Sequence, residues 1–181
     1  KRLRQFSTDY IDVFLFLGVT KEKQFPPKAI EELARFREEG KVRSIGMSCH
    51  DRSFIGKLAS QGVLDVMMMR YNAAHRGAEK DIFPYLTKRN PGIVSYTATR
   101  WTALMRRPKG WPKDGHLPDA GMCYRFVLSN PNVHVCLTAP TNEKQLMENL
   151  AALKQGTLTE DEMHFMKQFG DSVYMNHKWF M

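Results

Sequence analysis

Five short apolar runs recur along the chain, each followed by a stretch in which apolar residues fall three or four apart among charged ones. The runs are residues 11–17 (IDVFLFL), 42–48 (VRSIGMS), 64–69 (LDVMMM), 93–96 (IVSY) and 133–137 (VHVCL). Near-continuous apolar runs of this length predict strands buried on both faces of a parallel sheet. Between the first two, Ala29, Ile30, Leu33, Ala34 and Phe36 lie on one helical face, and Gly40 supplies the left-handed residue that ends such a helix. Asp51 caps a helix through residue 60, with Gly62 after its end. Further helices are predicted over residues 78–88, 119–129 and 142–153, the last capped by Asn142. Thr159 and Glu162 form a capping box for one more, reaching about residue 169. Residues 1–6 read as the last turn of a helix, and the aromatic tail, residues 174–181, either packs back or frays.

Strict strand–helix alternation implies a parallel sheet with right-handed crossovers. Two α/β architectures fit: an open doubly wound sheet, or part of an eight-stranded (β/α) barrel. No Gly-x-Gly-x-x-Gly follows the first run, which argues against a Rossmann dinucleotide site. A strand that ends in small polar residues beside a new helix is where such folds place ligands. Ser48, two residues after Gly46, is therefore the first candidate.

Composition narrows the classes. At 181 residues and 43% hydrophobic, the chain is expected to form a single domain, residues 1–181, with a sizeable core. No apolar run approaches the roughly 18 residues of a membrane span, and the first residues do not resemble a secretory signal. Cys49, Cys123 and Cys136 are scattered without ligand spacing, which fits reduced thiols in a cytoplasmic protein. The net charge of +8 permits an anionic partner. Only residues 100–113 concentrate it, with Trp101 and Trp111 interleaved. A solvated loop, or one that closes over a phosphorylated cofactor, suits that segment better than a nucleic-acid surface, because the other basic residues are dispersed.

Several segments together resemble the aldo-keto reductase family. Residues 8–14 (TDYIDVF) resemble its fourth barrel strand, residues 40–48 its fifth, and residues 65–72 its sixth, ending in Tyr-Asn. Residues 125–131 (RFVLSNP) resemble the helix before the eighth strand, and residues 139–149 (APTNEKQLMEN) its Gly-x-Ser-x-x-x-Gln-Leu-x-x-Asn cofactor segment. The resemblance implies a partial (β/α)8 TIM barrel of five parallel strand–helix units. It also implies NADP(H)-dependent interconversion of small-molecule carbonyls and alcohols.

The resemblance further implies site residues: Ser48 and Met68 near the nicotinamide carboxamide, Tyr96 stacking on its ring, and Thr97 near the pyrophosphate. Ala139, Thr141, Gln145 and Asn149 fall around the adenosine and its 2′-phosphate, with Lys144 read as a plain exposed lysine. Leu17 occupies the family's catalytic His position, and the first three strand units, which carry its Tyr, Asp and Lys, have no counterpart here. The chain is thus expected to be a fragment or natively short, and inactive alone. The alternative is a non-catalytic scaffold that binds a nucleotide or a partner, with a homodimer through the exposed edge of the first strand. His75 is expected at a cap or on the surface, and His134 within the sheet. Cys49-His50 is expected to carry no nucleophile, since adjacent strand residues point apart.

Overall fold

A computed structural model describes residues 2–26, 28–86 and 90–176. Five strands, β1 (Ile11–Val19), β2 (Val42–Cys49), β3 (Val66–Arg70), β4 (Gly92–Tyr96) and β5 (Val135–Cys136), form one sheet in that order. The β1/β2, β2/β3 and β4/β5 pairs are parallel. Among the described residues the helices are α1 (Arg2–Gln5), α2 (Ala29–Glu38), α3 (Arg52–Gln61), α4 (Ala78–Asp81), α5 (Ala120–Leu128), α6 (Glu143–Lys154) and α7 (Glu160–Asn176). A doubly wound sheet reverses its strand order at a switch point. Here the order never reverses, so the sequential wall of a (β/α) barrel is the architecture that fits. No helix among the described residues is long and apolar enough to cross a membrane.

The chain divides into two compact units, Lys1–Met69 with Gly77–Ile93, and Arg70–Arg76 with Val94–Met181. In the first, Phe14 and Phe16 of β1 and Phe36 of α2 pack on a core of Leu33, Val42 and Ile45. Gly40 ends the α2 segment at φ +70°, as the sequence predicts. Asp51 accepts a hydrogen bond from the Phe54 N–H at 3.1 Å to start α3, and left-handed Gly62 stops it. Gly46 is required by proximity: a Cβ there would lie 2.3 Å from the Val66 carbonyl oxygen. Asp65 then fixes the entry to β3, accepting from the Ile45 N–H at 2.9 Å and from Arg37 at 3.1 Å.

Two expectations in this unit are corrected. β1 is not buried on both faces: Val13 is 46% and Leu17 68% exposed. The face carrying Phe14 and Phe16 packs on Leu33, Val42 and Ile45, whereas the opposite face, with Val13 and Leu17, has no such layer among the described residues. β1 is also an edge strand, with β2 as its neighbour. The helix predicted over residues 78–88 stops at Asp81 and gives way to a 3-10 turn at Phe83–Tyr85. Pro84 lacks the N–H that a helix interior needs and crowds the preceding turn. Residues 87–89 lie outside the described residues.

In the second unit, Tyr71 is buried with its ring stacked 5.9 Å from Phe126, and its hydroxyl accepts from Asn130 at 3.0 Å. Asp119 caps α5 through the Met122 N–H at 2.7 Å. The capping box at α7 is present in both directions, Thr159 N–H to Glu162 at 2.8 Å and Glu162 N–H to Thr159 at 3.2 Å. α7 runs well past residue 169 because its buried stripe continues through Phe169, Gly170 and Val173. The tail beyond Asn176 lies outside the described residues. β5 is shorter than residues 133–137, and His134 precedes it on an exposed position rather than within the sheet. His75, expected at a cap or on the surface, is buried, in the turn that Asn72 organises.

Candidate functional site

Each predicted site residue sits at or just beyond the carboxyl end of its strand, or in the helix that follows. In the first unit, Ser48 and Met68 are register partners of the parallel β2/β3 pair. Ser48 is buried and Met68 half-buried. Leu17 lies near the end of β1, where the register shifts between Phe16 and Val19 around Gly18 at φ +78°. The Cys49 thiol donates to the Asp51 carbonyl at 3.4 Å, and burial pushes its pKa up to about 11. A thiol held neutral next to an exposed His50 is no nucleophile.

In the second unit, β4 ends at Tyr96, and Thr97 turns the chain with φ +59°. Left-handed backbone is costly for a β-branched residue unless its surroundings fix it. Asn72 does so: its Nδ2 donates to the Thr97 carbonyl at 2.8 Å. The same fully buried side chain accepts, through Oδ1, the N–H groups of Ala74 at 3.0 Å and His75 at 2.9 Å. Ser95 donates to the Tyr71 carbonyl at 2.9 Å. The turn that follows strand β3 is thereby tied to the end of β4.

β5 runs beside β4, and the Leu137 N–H donates to the Ser95 carbonyl at 2.8 Å, so the segments leaving both strands start side by side. Thr141 donates to Gln145 Oε1 from its N–H at 2.9 Å and from its hydroxyl at 3.1 Å. Asn142 caps α6 by accepting from the Gln145 N–H at 2.9 Å. Asn149 reaches back to the Thr138 hydroxyl at 2.8 Å, and Thr138 in turn donates to the Tyr124 hydroxyl at 2.8 Å. Thr141 and Gln145 are thus bonded directly, Asn149 joins one residue before Ala139, and Ala139 itself is exposed. Lys144 is exposed, with its Nζ 4.0 Å from Glu148, as a surface pair.

This donor set suits a dinucleotide. Hydroxyl and amide groups cluster at the amino end of a twelve-residue helix, whose first-turn N–H groups carry partial positive charge. Tyr96, half-buried at a strand end, offers the flat face that ring stacking needs. Asn72 was not singled out by sequence reasoning as a holding residue. Its signal was an Asn before two small residues at a strand end, which favours side-chain bonds to the backbone two and three residues on.

The family model for the aldo/keto reductase family matches residues 1–109. The uncharacterized oxidoreductase YqkF of Bacillus subtilis is 23% identical over 205 residues, spanning 98% of this chain and 66% of its own length. The NADH-specific methylglyoxal reductase of Escherichia coli is 30% identical over 94 residues, 51% of this chain and 28% of that protein. Aldo-keto reductase AKR11C1 of Bacillus halodurans superposes with a TM-score of 0.76 in its apo form, at 22% identity, over 97% of this chain and 68% of its own. Its holo form gives 0.75, over 97% of this chain and 67% of its own. The chain therefore spans about two thirds of YqkF, and less of the Escherichia coli reductase.

Proposed function

The chain belongs to the aldo/keto reductase family, and from that premise we propose that it carries the cofactor-holding part of an NADP(H)-dependent carbonyl reductase. The observation that carries this reading is the polar cluster at the start of α6, in which Thr141, Asn142 and Gln145 are locked together. A bound nicotinamide cofactor supplies the two-electron reduction of a carbonyl to an alcohol. The chain's own residues position it. The Ser48 hydroxyl would address the carboxamide, Met68 would pack beside it without donating, and Tyr96 would offer its ring for stacking. Thr97 would address the pyrophosphate, and Ala139, Thr141, Gln145 and Asn149 would hold the adenosine and its 2′-phosphate.

The proton that an alkoxide needs does not come from the family's His position. Leu17 has neither a donor nor a titratable group there. On this reading the chain's part is to hold the cofactor, with a proton donor other than Leu17 needed for turnover. The same observation favours a second reading, a nucleotide-binding scaffold whose partner docks at β1. Self-association through that edge belongs to either reading, as does a cytoplasmic setting in which the three thiols stay reduced.

Titration with NADPH, followed by energy transfer from Trp101 and Trp111, tests the proposal, with NADH as the comparison because the Escherichia coli relative is named NADH-specific. NADPH is expected to bind at least about tenfold more tightly than NADH, and Q145A to weaken it. Equal or tighter NADH binding replaces NADP(H) with NAD(H), and no binding of either removes the reading. Reduction of an aldehyde panel is expected to be absent, and turnover would show that a catalytic acid lies elsewhere in the chain.

A further inference from the structure

The loop between β4 and α5 encloses a cavity of about 300 Å³ against the last turns of α7. Arg100, Trp101, Arg106, Arg107, Pro108 and Val173 line it, and no acidic side chain is among its lining residues. We propose that this cavity is a binding site for a small organic anion, one negatively charged head on a flat apolar body, such as an aromatic carboxylate.

Three observations support it. The first is charge. Arg106 is exposed at the rim, and its guanidinium has no hydrogen bond or ion pair among the described residues. Arg107 stands next to it, and Arg100 is only 3% exposed, donating to the neutral carbonyl of Val173 at 2.9 Å. Burial first, then the neighbouring Arg70, lowers the pKa of Arg100, with Tyr174 opposing. Three guanidinium groups without a carboxylate among the lining residues make the cavity electropositive. Guanidinium forks match carboxylate and phosphate oxygens.

The second is preorganisation. Arg107 donates to the carbonyls of Pro112 and Gly115, folding the outer loop on itself. Trp111 donates to the His116 carbonyl at 3.1 Å and sets its ring 4.8 Å from Phe169 of α7. Asn176 donates to the Lys109 carbonyl at 3.1 Å, anchoring the loop at the end of that helix. The third is strain. Arg100, Trp101 and Thr102 are consecutive non-glycine residues at φ +50°, +51° and +69°. Each costs on the order of 1 kcal/mol, and such outliers cluster where a ligand is held. The turn presents the Trp101 indole, 60% exposed, at the mouth, where an aromatic body can stack.

The bland alternative is that Arg100 only satisfies an α7 carbonyl and Arg106 is a solvated rim charge. Benzoate, phenyl phosphate and the neutral isostere benzamide separate the two, followed by Trp101 fluorescence and by calorimetry on the intact chain. Benzoate and phenyl phosphate are expected to bind saturably, and their relative affinity tells carboxylate from phosphate. Benzamide is expected to bind at least about tenfold more weakly, and R106Q to weaken both anions by a similar factor with an unchanged melting temperature. W101F should remove the optical signal and leave the calorimetric one. No anion binding up to about 10 mM, equal binding of benzamide, or R106Q binding like the parent overturns the proposal. So does one-for-one displacement of benzoate by NADPH, which would make the cavity part of the dinucleotide site. The proposal does not rest on the cofactor reading: failure of NADPH to bind would leave these outcomes intact.

Discussion

The side-chain amide of Asn72 donates to the main-chain carbonyl of Thr97 at 2.8 Å and so holds the residue that follows β4 in left-handed backbone. Asn72 is fully buried, and its Oδ1 also receives the Ala74 and His75 N–H groups. Replacing it with Ala strands the Ala74 N–H and the Thr97 carbonyl away from water, while the His75 N–H keeps its bond to the main-chain carbonyl of residue 72 at 2.9 Å. Unsatisfied buried polar groups cost roughly 1–3 kcal/mol each. N72A is therefore expected to lower unfolding free energy by about 3 kcal/mol and to weaken NADPH binding as Thr97 relaxes. Urea unfolding and the NADPH titration read the two effects. A variant with unchanged stability would show that Asn72 holds nothing.

Arg125 and Glu162 form the main ionic tie of the second unit. The Arg125 guanidinium donates to both carboxylate oxygens at 2.9 Å and to the carbonyls of Gly156 and Thr157 at 3.0 Å. The hydrogen bond from Arg125, then that from the Thr159 N–H, holds the Glu162 carboxyl below its usual 4.5. A depressed carboxyl pKa stabilises the fold above the unfolded value, and that contribution is lost as pH falls through the folded one. The melting temperature is thus expected to drop below about pH 4.5 in the parent, with a shallower acid limb in E162Q. R125M is expected to cost about 3 kcal/mol at neutral pH, because both carbonyls and the carboxylate lose their donor. Identical acid limbs in parent and E162Q would contradict this assignment.

What the sequence makes legible is set by how local each cause is. Asp51, Asn142 and the Thr159–Glu162 box are all found where the cap pattern places them, because a cap depends on residues within three positions of itself. The parallel order follows from strand–helix alternation, with which a doubly wound sheet was equally compatible; only the unreversed strand order decides between them. The burial of β1 is different. Its apolar run is the same whether or not a neighbour covers the outer face, so the exposure of Val13 and Leu17 has no signature in the run itself. Arg125 and His75 are likewise buried by residues far along the chain, and a lone Arg or His in sequence gives no sign of such a partner. Pro84 is legible by the same local logic: a proline at the seventh position of the predicted helix is reason enough to end it.

Gly170 tests how closely α7 approaches the turn after β3. A Cβ at this position would stand 2.2 Å from the Ala73 carbonyl oxygen, an atom that no side-chain rotation can move. In a helix interior, Gly-to-Ala ordinarily gains about 1 kcal/mol. Forcing an extra methyl into a packed contact costs about 1–3 kcal/mol, and here the obstacle is backbone. The clash is expected to win, with G170A less stable than the parent by about 2 kcal/mol in urea. A stabilised G170A would mean that the helix stands further from Ala73.

The three thiols share one behaviour. Burial pushes Cys49 up to about 11 and Cys123 and Cys136 up to about 12. At pH 8 each is thiolate in only about 0.1% of molecules or fewer, so attack on a disulfide reagent is slow. In urea all three are expected to react within the mixing time of a manual assay, and in the native chain none. The sign also fixes an alkaline limit: thiols whose folded pKa is raised favour the fold while neutral, and stability falls as pH rises above about 8.5, where unfolded thiols ionise. One fast native thiol would identify a site of local opening.

The edge of β1 predicts association. Val13 and Leu17 expose apolar surface on a strand that has a hydrogen-bonding neighbour on one side only among the described strands. Strands of nine residues with unblocked edges pair readily with another chain. A second copy satisfies both the backbone groups and the apolar side chains, and a two-fold pairing of two β1 edges is isologous and uses up that edge in both copies. Sedimentation is expected to show a concentration-dependent dimer. Leu17→Lys adds a charge to the exposed face, and lysine is how native edge strands discourage pairing. It is expected to raise the dimer dissociation constant by about tenfold or more, with NADPH affinity unchanged if cofactor is held by residues of β2 and later elements. A parent that sediments as a monomer at every concentration would leave the edge to a different occupant and remove self-association from the reading.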